Sequence, residues 1–102
     1  MMAWRLTREA EADIIDIAET GLRLFGEAQA RSYHYALFDL IGLIASNPRM
    51  ARERPELTPA VRVQPFRSHL IVYRIENGDD ILVIRVRHAH EDWMSNEASR
   101  ND

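Results

Sequence analysis

Arginine carries most of the chemistry this chain has to offer. All thirteen of its Lys and Arg positions are arginine. Arg62, Arg74, Arg85 and Arg87 gather in its last forty or so residues. A guanidinium is planar, always charged and shaped to grip a carboxylate or phosphate through two parallel hydrogen bonds. Coding bias toward arginine explains the missing lysine equally well. His88 is the nearest proton donor or acceptor to this group. The alternation His88-x-His90-x-Asp92 would put two imidazoles and a carboxylate on one face of an extended strand. Such a set suits a divalent ion. The sequence supplies no group to orient those ligands, so no metal is expected. The chain has no cysteine, which removes disulfides, zinc thiolates and thiol nucleophiles. Its four glycines, Gly21, Gly26, Gly42 and Gly78, are too scattered for a phosphate loop. No Ser-His-Asp arrangement stands out, and no cofactor is expected.

Charge is unevenly spread. The net charge is −3 over 102 residues, which argues against a general nucleic-acid binder. Residues 1–48 carry −3, residues 49–90 carry +3, and residues 91–102 carry −3. A hydrophobic fraction of 46% over this length suits one modest globular domain spanning residues 1–102. Met1-Met2-Ala3-Trp4-Arg5 has no apolar run of signal-peptide length. No stretch approaches the roughly 20 apolar residues of a membrane span. A cytoplasmic protein without membrane contact is expected.

The arginines need elements to hold them. Residues 3–6 are apolar enough for a short strand. Thr7 offers an N-cap, and Glu9, Glu11 and Asp13 follow it at the positive end of a helix. Ala10, Ile14, Ile17, Ala18 and Gly21 recur at helical spacing, predicting a helix over 7–24. Gly26 breaks it. A second helix is predicted over 27–46, with Ala30, Tyr33, Leu37, Ile41 and Ile44 on one face, ended by Asn47-Pro48. So short a turn implies an antiparallel helical hairpin. Residues 49–60 read as a loop of charges and prolines. A strand is predicted over 61–66, with Val61 and Val63 inward and Arg62, Gln64 and Phe66 outward.

Residues 68–74 and 81–88 read as the two strands of a β-hairpin, joined through Asn77-Gly78-Asp79-Asp80. Strict alternation would place Ile71, Tyr73 and Ile75 with Leu82, Ile84 and Val86 on one face. The other face would carry Leu70, Val72 and Arg74 with Ile81, Val83, Arg85 and Arg87. Like charges facing across paired strands repel, so that second face suggests an anionic partner. Residues from about 89 onward form a polar tail around Trp93. The order is β-α-α-β-β-β, an α+β fold with a helical hairpin on one face of a small, mainly antiparallel twisted sheet.

That order, with these residues in place, resembles the ParE/RelE toxin superfamily of bacterial toxin–antitoxin modules. The matching pieces are the helix opening Thr7 to Ile14, the turn Phe25-Gly26-Glu27-Ala28-Gln29-Ala30, and the helix end from Ile44 to Pro48. Ser68 to Arg74, Ile84 to His88 and the Asp92-Trp93 pair complete the set. The resemblance is closest to the ParE branch. It implies a non-enzymatic inhibitor of DNA gyrase, neutralised in a hetero-oligomer by a cognate ParD-type antitoxin. On that reading Arg62, Leu70, Val72, Arg74, Ile81, Val83, Arg85 and Arg87 form the antitoxin site. The C-terminal residues His90, Asp92 and Trp93 contact the target, and no direct nucleic-acid binding is expected.

The RelE branch implies the alternative, a ribosome-dependent messenger-RNA endonuclease. Such cleavage needs proton transfers and stabilisation of charge at the phosphate. Arg74 and His88 are the residues that match those roles. The chain departs from that pattern: it has no lysine, and its three tyrosines, Tyr33, Tyr35 and Tyr73, all lie far from the C-terminus. Its acidic balance also suits ribosomal RNA poorly.

Overall fold

Thr7 decides where the first helix begins and what it lies on. The computed structural model describes residues 3–89. In it Thr7 has extended backbone, and its hydroxyl oxygen accepts from the Ala10 N–H at 3.0 Å. The same hydroxyl donates to the Ile84 carbonyl at 2.7 Å. One side chain thus caps a helix and ties its start to a strand 77 residues away.

The order of elements is β1 (Trp4–Leu6), α1 (Arg8–Phe25), α2 (Glu27–Ser46), β2 (Glu53–Arg54), β3 (Val61–Phe66), β4 (His69–Ile75) and β5 (Ile81–His88). Gly26, at φ 88°, joins the helices. Its N–H closes the last turn of α1 on the Leu22 carbonyl. A side chain at that φ is strained, so glycine belongs there. The five strands run in the order β1-β5-β4-β3-β2. β1 pairs with β5 in parallel, and every other neighbour is antiparallel. The helical hairpin covers one face. Ala10 and Ile14 of α1, with Leu37, Ile41 and Ile44 of α2, pack on Ile71, Tyr73, Ile81, Val83 and Val86.

The elements match the expectation closely, and three details correct it. The segment 49–60 is not all loop, because Glu53 and Arg54 pair with Arg62 and Val61 to make β2. The faces of β3 are the reverse of those expected. Register sets Arg62 opposite Tyr73 and Val63 opposite Val72, so Arg62, Gln64 and Phe66 face the helices. Phe66 joins the main core, while Val61 packs with Val72 on the back of the sheet. Both sides of β3 are partly covered, so apolarity alone did not mark the inner one.

The third correction lies in β5. A register shift pairs Val72 with Arg85 but Tyr73 with Val83. Ile84 is the extra residue of a bulge, and a bulge inverts the alternation beyond it. Ile81 and Val83 therefore face the helices, both 0% exposed. Leu82 lies on the back face, opposite Arg74, and Ile84 packs there with the Val61–Val72 cluster. Arg85 keeps its register position opposite Val72, but its guanidinium does not stay with the other arginines. It crosses to Asp13 on α1, with Nε and Nη2 donating to the carboxylate at 2.8 and 3.0 Å. Asp13 also accepts from the Val86 N–H at 2.9 Å.

At the outer edge of the sheet, β3 runs past the end of β2. Pro65 occupies that stretch, paired to Leu70 on its inner side. The Gln64 side-chain amide donates to its carbonyl at 3.1 Å.

Two stability predictions follow from these contacts. Asp13→Ala strips the partly buried Arg85 and the Val86 N–H of their acceptor. It should cost about 3 kcal/mol and lower the melting temperature by roughly 12–24 °C. Asp16→Ala, an exposed change on the same helix, should move stability by under about 0.5 kcal/mol; thermal unfolding of both variants checks this. Tyr73, 0% exposed, donates from its hydroxyl to the Pro48 carbonyl at 2.6 Å. Burial pushes the phenol's pKa above the usual value near 10, against smaller opposing effects from an Ala51 backbone hydrogen bond and Arg62. The folded chain therefore holds this proton longer than the unfolded one. Its contribution is constant below about pH 10 and is lost as pH rises further. Tyr73→Phe should lower stability at neutral pH by about 1–2 kcal/mol and flatten the alkaline loss, as read by urea unfolding at about pH 7 and pH 11.

Candidate functional site

The structure keeps half of the expected antitoxin face together. Leu70 stands opposite Arg87, and Val72 and Arg74 continue along β4 on the same side. Val61 and Val63 of β3, with Leu82 and Ile84 of β5, join them there. The other four residues are engaged elsewhere, three of them on the helix side and Arg85 through its head group. Ile81 and Val83 lie under the helices. Arg85 is bound to Asp13. Arg62 faces the helix side and donates from Nη1 to the Ala51 carbonyl at 2.6 Å.

Nor is the back face bare. Leu57, from the segment between β2 and β3, packs over Val61 and Val72. Val72 is only 2% exposed. What remains open is a rim of half-buried Val63, Leu70 and Ile84 beside the exposed Arg74.

A further group of exposed apolar side chains sits on the helix side of the molecule. Leu24 and Phe25 at the end of α1 are each more than half exposed. They flank a cleft of about 540 Å³ that opens between the tip of the helical hairpin and the ends of β4 and β5. Ile17, Leu24 and Phe25 form one wall, and Tyr33 and Leu37 another. Its polar end is a ring cluster. The Tyr33 hydroxyl lies 2.6 Å from His69 Nδ1. The His69 and His88 rings meet edge-on with centroids 5.3 Å apart. The Arg67 guanidinium sits over the Tyr33 ring at 5.4 Å and the Phe66 ring at 5.2 Å, in cation–π range.

Sequence reasoning did not find this cluster. His69 and His88 are direct partners across the hairpin, so counting back from the turn with the bulge in place would have paired them. Tyr33 had no such signal, since 36 residues separate it from His69.

Arg74 and His88, the residues that fit nuclease chemistry, are not brought together. Arg74 is on the back face opposite Leu82, and His88 is on the helix side opposite His69. Five residues of β4 separate those positions, or about 17 Å at ~3.4 Å per residue. His90, Asp92 and Trp93 lie outside the described residues. Among the described residues, no three His, Asp or Glu side chains gather as a metal site. No helix there is long and apolar enough to cross a membrane.

Comparison with known proteins places this architecture. Residues 4–93 match the family model described as the ParE toxin of type II toxin–antitoxin system, parDE. The chain belongs to the ParE toxin family. Toxin ParE of Escherichia coli is 33% identical over 100 residues, covering 98% of this chain and 97% of that protein. Toxin ParE1 of Caulobacter vibrioides is 34% identical over 88 residues, covering 86% and 90%. Toxin ParE1 of Mycobacterium tuberculosis is 32% identical over 87 residues, covering 85% and 89%. A solved structure titled as the chromosomal ParDE system from P. aeruginosa superposes with a TM-score of 0.74. At 22% identity over 88% of this chain and 98% of that one, it establishes a shared fold. This ParE-family chain is thus a toxin of a type II toxin–antitoxin system.

The two-sided sheet makes neighbouring residues on β4 respond differently to the same change. Val72→Asp puts a charge beneath Leu57 and should cost several kcal/mol. Leu70→Asp, on the rim and facing Arg87, should cost less than about 1 kcal/mol. Urea denaturation of both variants separates the two outcomes.

Proposed function

We propose that this ParE-family toxin inhibits DNA gyrase by binding it, without catalytic chemistry. A cognate ParD-type antitoxin holds it inactive in the bacterial cytoplasm. The observation that carries the non-enzymatic reading is the separation of Arg74 from His88. A phosphate at one of them is out of reach of the other, and general acid–base help works only within hydrogen-bond distance. Membership of the ParE family supports gyrase as the target.

Two surfaces fit an antitoxin. The back-face rim of Leu70, Arg74 and Arg87 offers apolar contact beside guanidinium groups suited to carboxylates. The cleft beside Leu24 and Phe25 takes larger apolar anchors. A segment that folds as it binds can use both. The likeness to a ParDE structure supports an antitoxin partner. His90, Asp92 and Trp93 are proposed to meet the target, in a segment whose charge reverses from that of the preceding region.

The test pairs two reactions. Supercoiling by purified gyrase should fall when the toxin is added and recover with antitoxin. Messenger RNA on stalled ribosomes should stay intact with the same preparation. Deleting residues 91–102 should abolish gyrase inhibition while antitoxin affinity stays within about tenfold, or about 1.4 kcal/mol. Site-specific cuts at the ribosomal A site that disappear in Arg74→Ala and His88→Ala would overturn the proposal.

A further inference from the structure

Arg67 stands where the backbone favours glycine. β3 and β4 are joined by the two-residue turn Arg67-Ser68, since Phe66 pairs directly with His69. Turns this tight need a positive φ at a central residue and draw on glycine or asparagine for it. Here the residue is Arg67, at φ 53°. A β-carbon is strained in that region, and strain of this kind is kept where it serves a site. The guanidinium shows what the strain holds. It sits over the Tyr33 ring at 5.4 Å and the Phe66 ring at 5.2 Å. The two rings pack edge-on with centroids 5.0 Å apart, and the Tyr33 hydroxyl is tied to His69. The platform beneath the charge is therefore fixed from both α2 and the sheet. Arg67 itself is exposed, and among the described residues no carboxylate pairs with it. Contact with aromatic rings uses a guanidinium's charge and leaves its N–H donors for another partner. Tyr33 and Ser68 line the cleft, so those donors stand at its polar end, with Leu24 and Phe25 exposed on the α1 wall.

We propose that Arg67 is the specificity-determining residue of this cleft. Its guanidinium, set in advance on two rings, grips an Asp or Glu of an acidic antitoxin segment whose apolar neighbours seat against Leu24 and Phe25. The inference rests on the antitoxin reading above and names the residue that selects the segment. Charge complementarity selects the occupant. Residues 49–90 carry +3, and a planar guanidinium takes both oxygens of a carboxylate at once. Of the two acids that line the cleft, Asp13 is committed to Arg85, and Asp16 lies on α1. A carboxylate therefore finds its counter-charge on the strand side. A side chain held in place before binding loses little freedom on binding. An arginine on a relaxed turn, away from the rings, would lack that advantage. Stability given up at the turn is thus exchanged for recognition.

The experiment reads stability and affinity on the same variants. Arg67→Gly removes both the guanidinium and the strain. Relief of the backbone offsets the lost ring contacts, so its melting temperature should lie no more than about 4 °C below that of the unsubstituted toxin. Its affinity for the cognate antitoxin, read by calorimetry, should fall by about tenfold or more. Arg67→Lys keeps the charge but not the planar fork, and it too should bind less tightly, by about threefold or more. Raising the salt concentration from about 0.05 to 0.5 M should weaken the unsubstituted complex more than the Arg67→Gly complex. A smaller loss of affinity in Arg67→Gly overturns the inference. So does a larger fall in its melting temperature, because Arg67 then serves the fold. Lysine binding as tightly as arginine overturns the fork, and equal salt dependence overturns the ion pair. If the unsubstituted toxin binds no antitoxin, the partner reading falls and the inference with it, a result distinct from tight binding that ignores residue 67.

Discussion

One carboxylate organises the join between the helical layer and the sheet. Asp13 accepts from two nitrogens of Arg85 and from the Val86 backbone. These three bonds fall on the stretch of β5 that β1 leaves uncovered. β1 pairs only with Ile81 to Val83, and Thr7 takes up the Val83 and Ile84 carbonyls next. α1 therefore closes an edge that would otherwise carry unsatisfied polar groups. Charge-assisted bonds to a half-buried pair are worth more than exposed ones. The exposed pairs Arg5–Glu76, Arg49–Asp79 and Arg54–Glu56 contribute little by comparison.

The bulge in β5 and the Asp13 anchor belong together. Inserting Ile84 lets Ile81 and Val83 point under the helices while Val86, three residues on, does the same. The chain thereby fills one core from both halves of the strand and leaves Arg85 at the bend, where Asp13 meets it. The back of the sheet then has too little cover. The segment before β3 supplies it with Leu57, making a second small cluster around Val61 and Val72. A sheet apolar on both sides is stable only when both sides are covered.

How much of this was legible in the sequence depended on how local each determinant is. Both helices were readable to within a residue or so, because Thr7, Gly26 and Asn47-Pro48 act within a turn of where they sit. The longer strands and the hairpin turn were readable for the same reason, while the two-residue β2 was not. Which way β3 and the first half of β5 face was not, although the faces of β4 were. Val61, Val63 and Phe66 are all apolar, and only pairing with Tyr73 and Val72 distinguishes their sides. A single inserted residue at Ile84 misplaced Ile81, Leu82 and Val83 together. Arg85 looked like part of a basic cluster because its carboxylate partner is 72 residues distant. The cleft was invisible for a similar reason, since it exists only once the hairpin tip and the strand ends are brought side by side.

Pro65 has a bearing on the fate of any copy of this chain that is alone. Past the end of β2, the outer side of β3 is an edge to which a strand from a second molecule can be added. Proline brings no N–H to such a pairing. The carbonyl at the same position is already occupied by the Gln64 amide. Both halves of the bonding pattern are withdrawn where polymerisation would start, a common safeguard of natural sheets against edge-to-edge aggregation. A copy of the chain without its partner therefore offers no ready pairing along this stretch of edge.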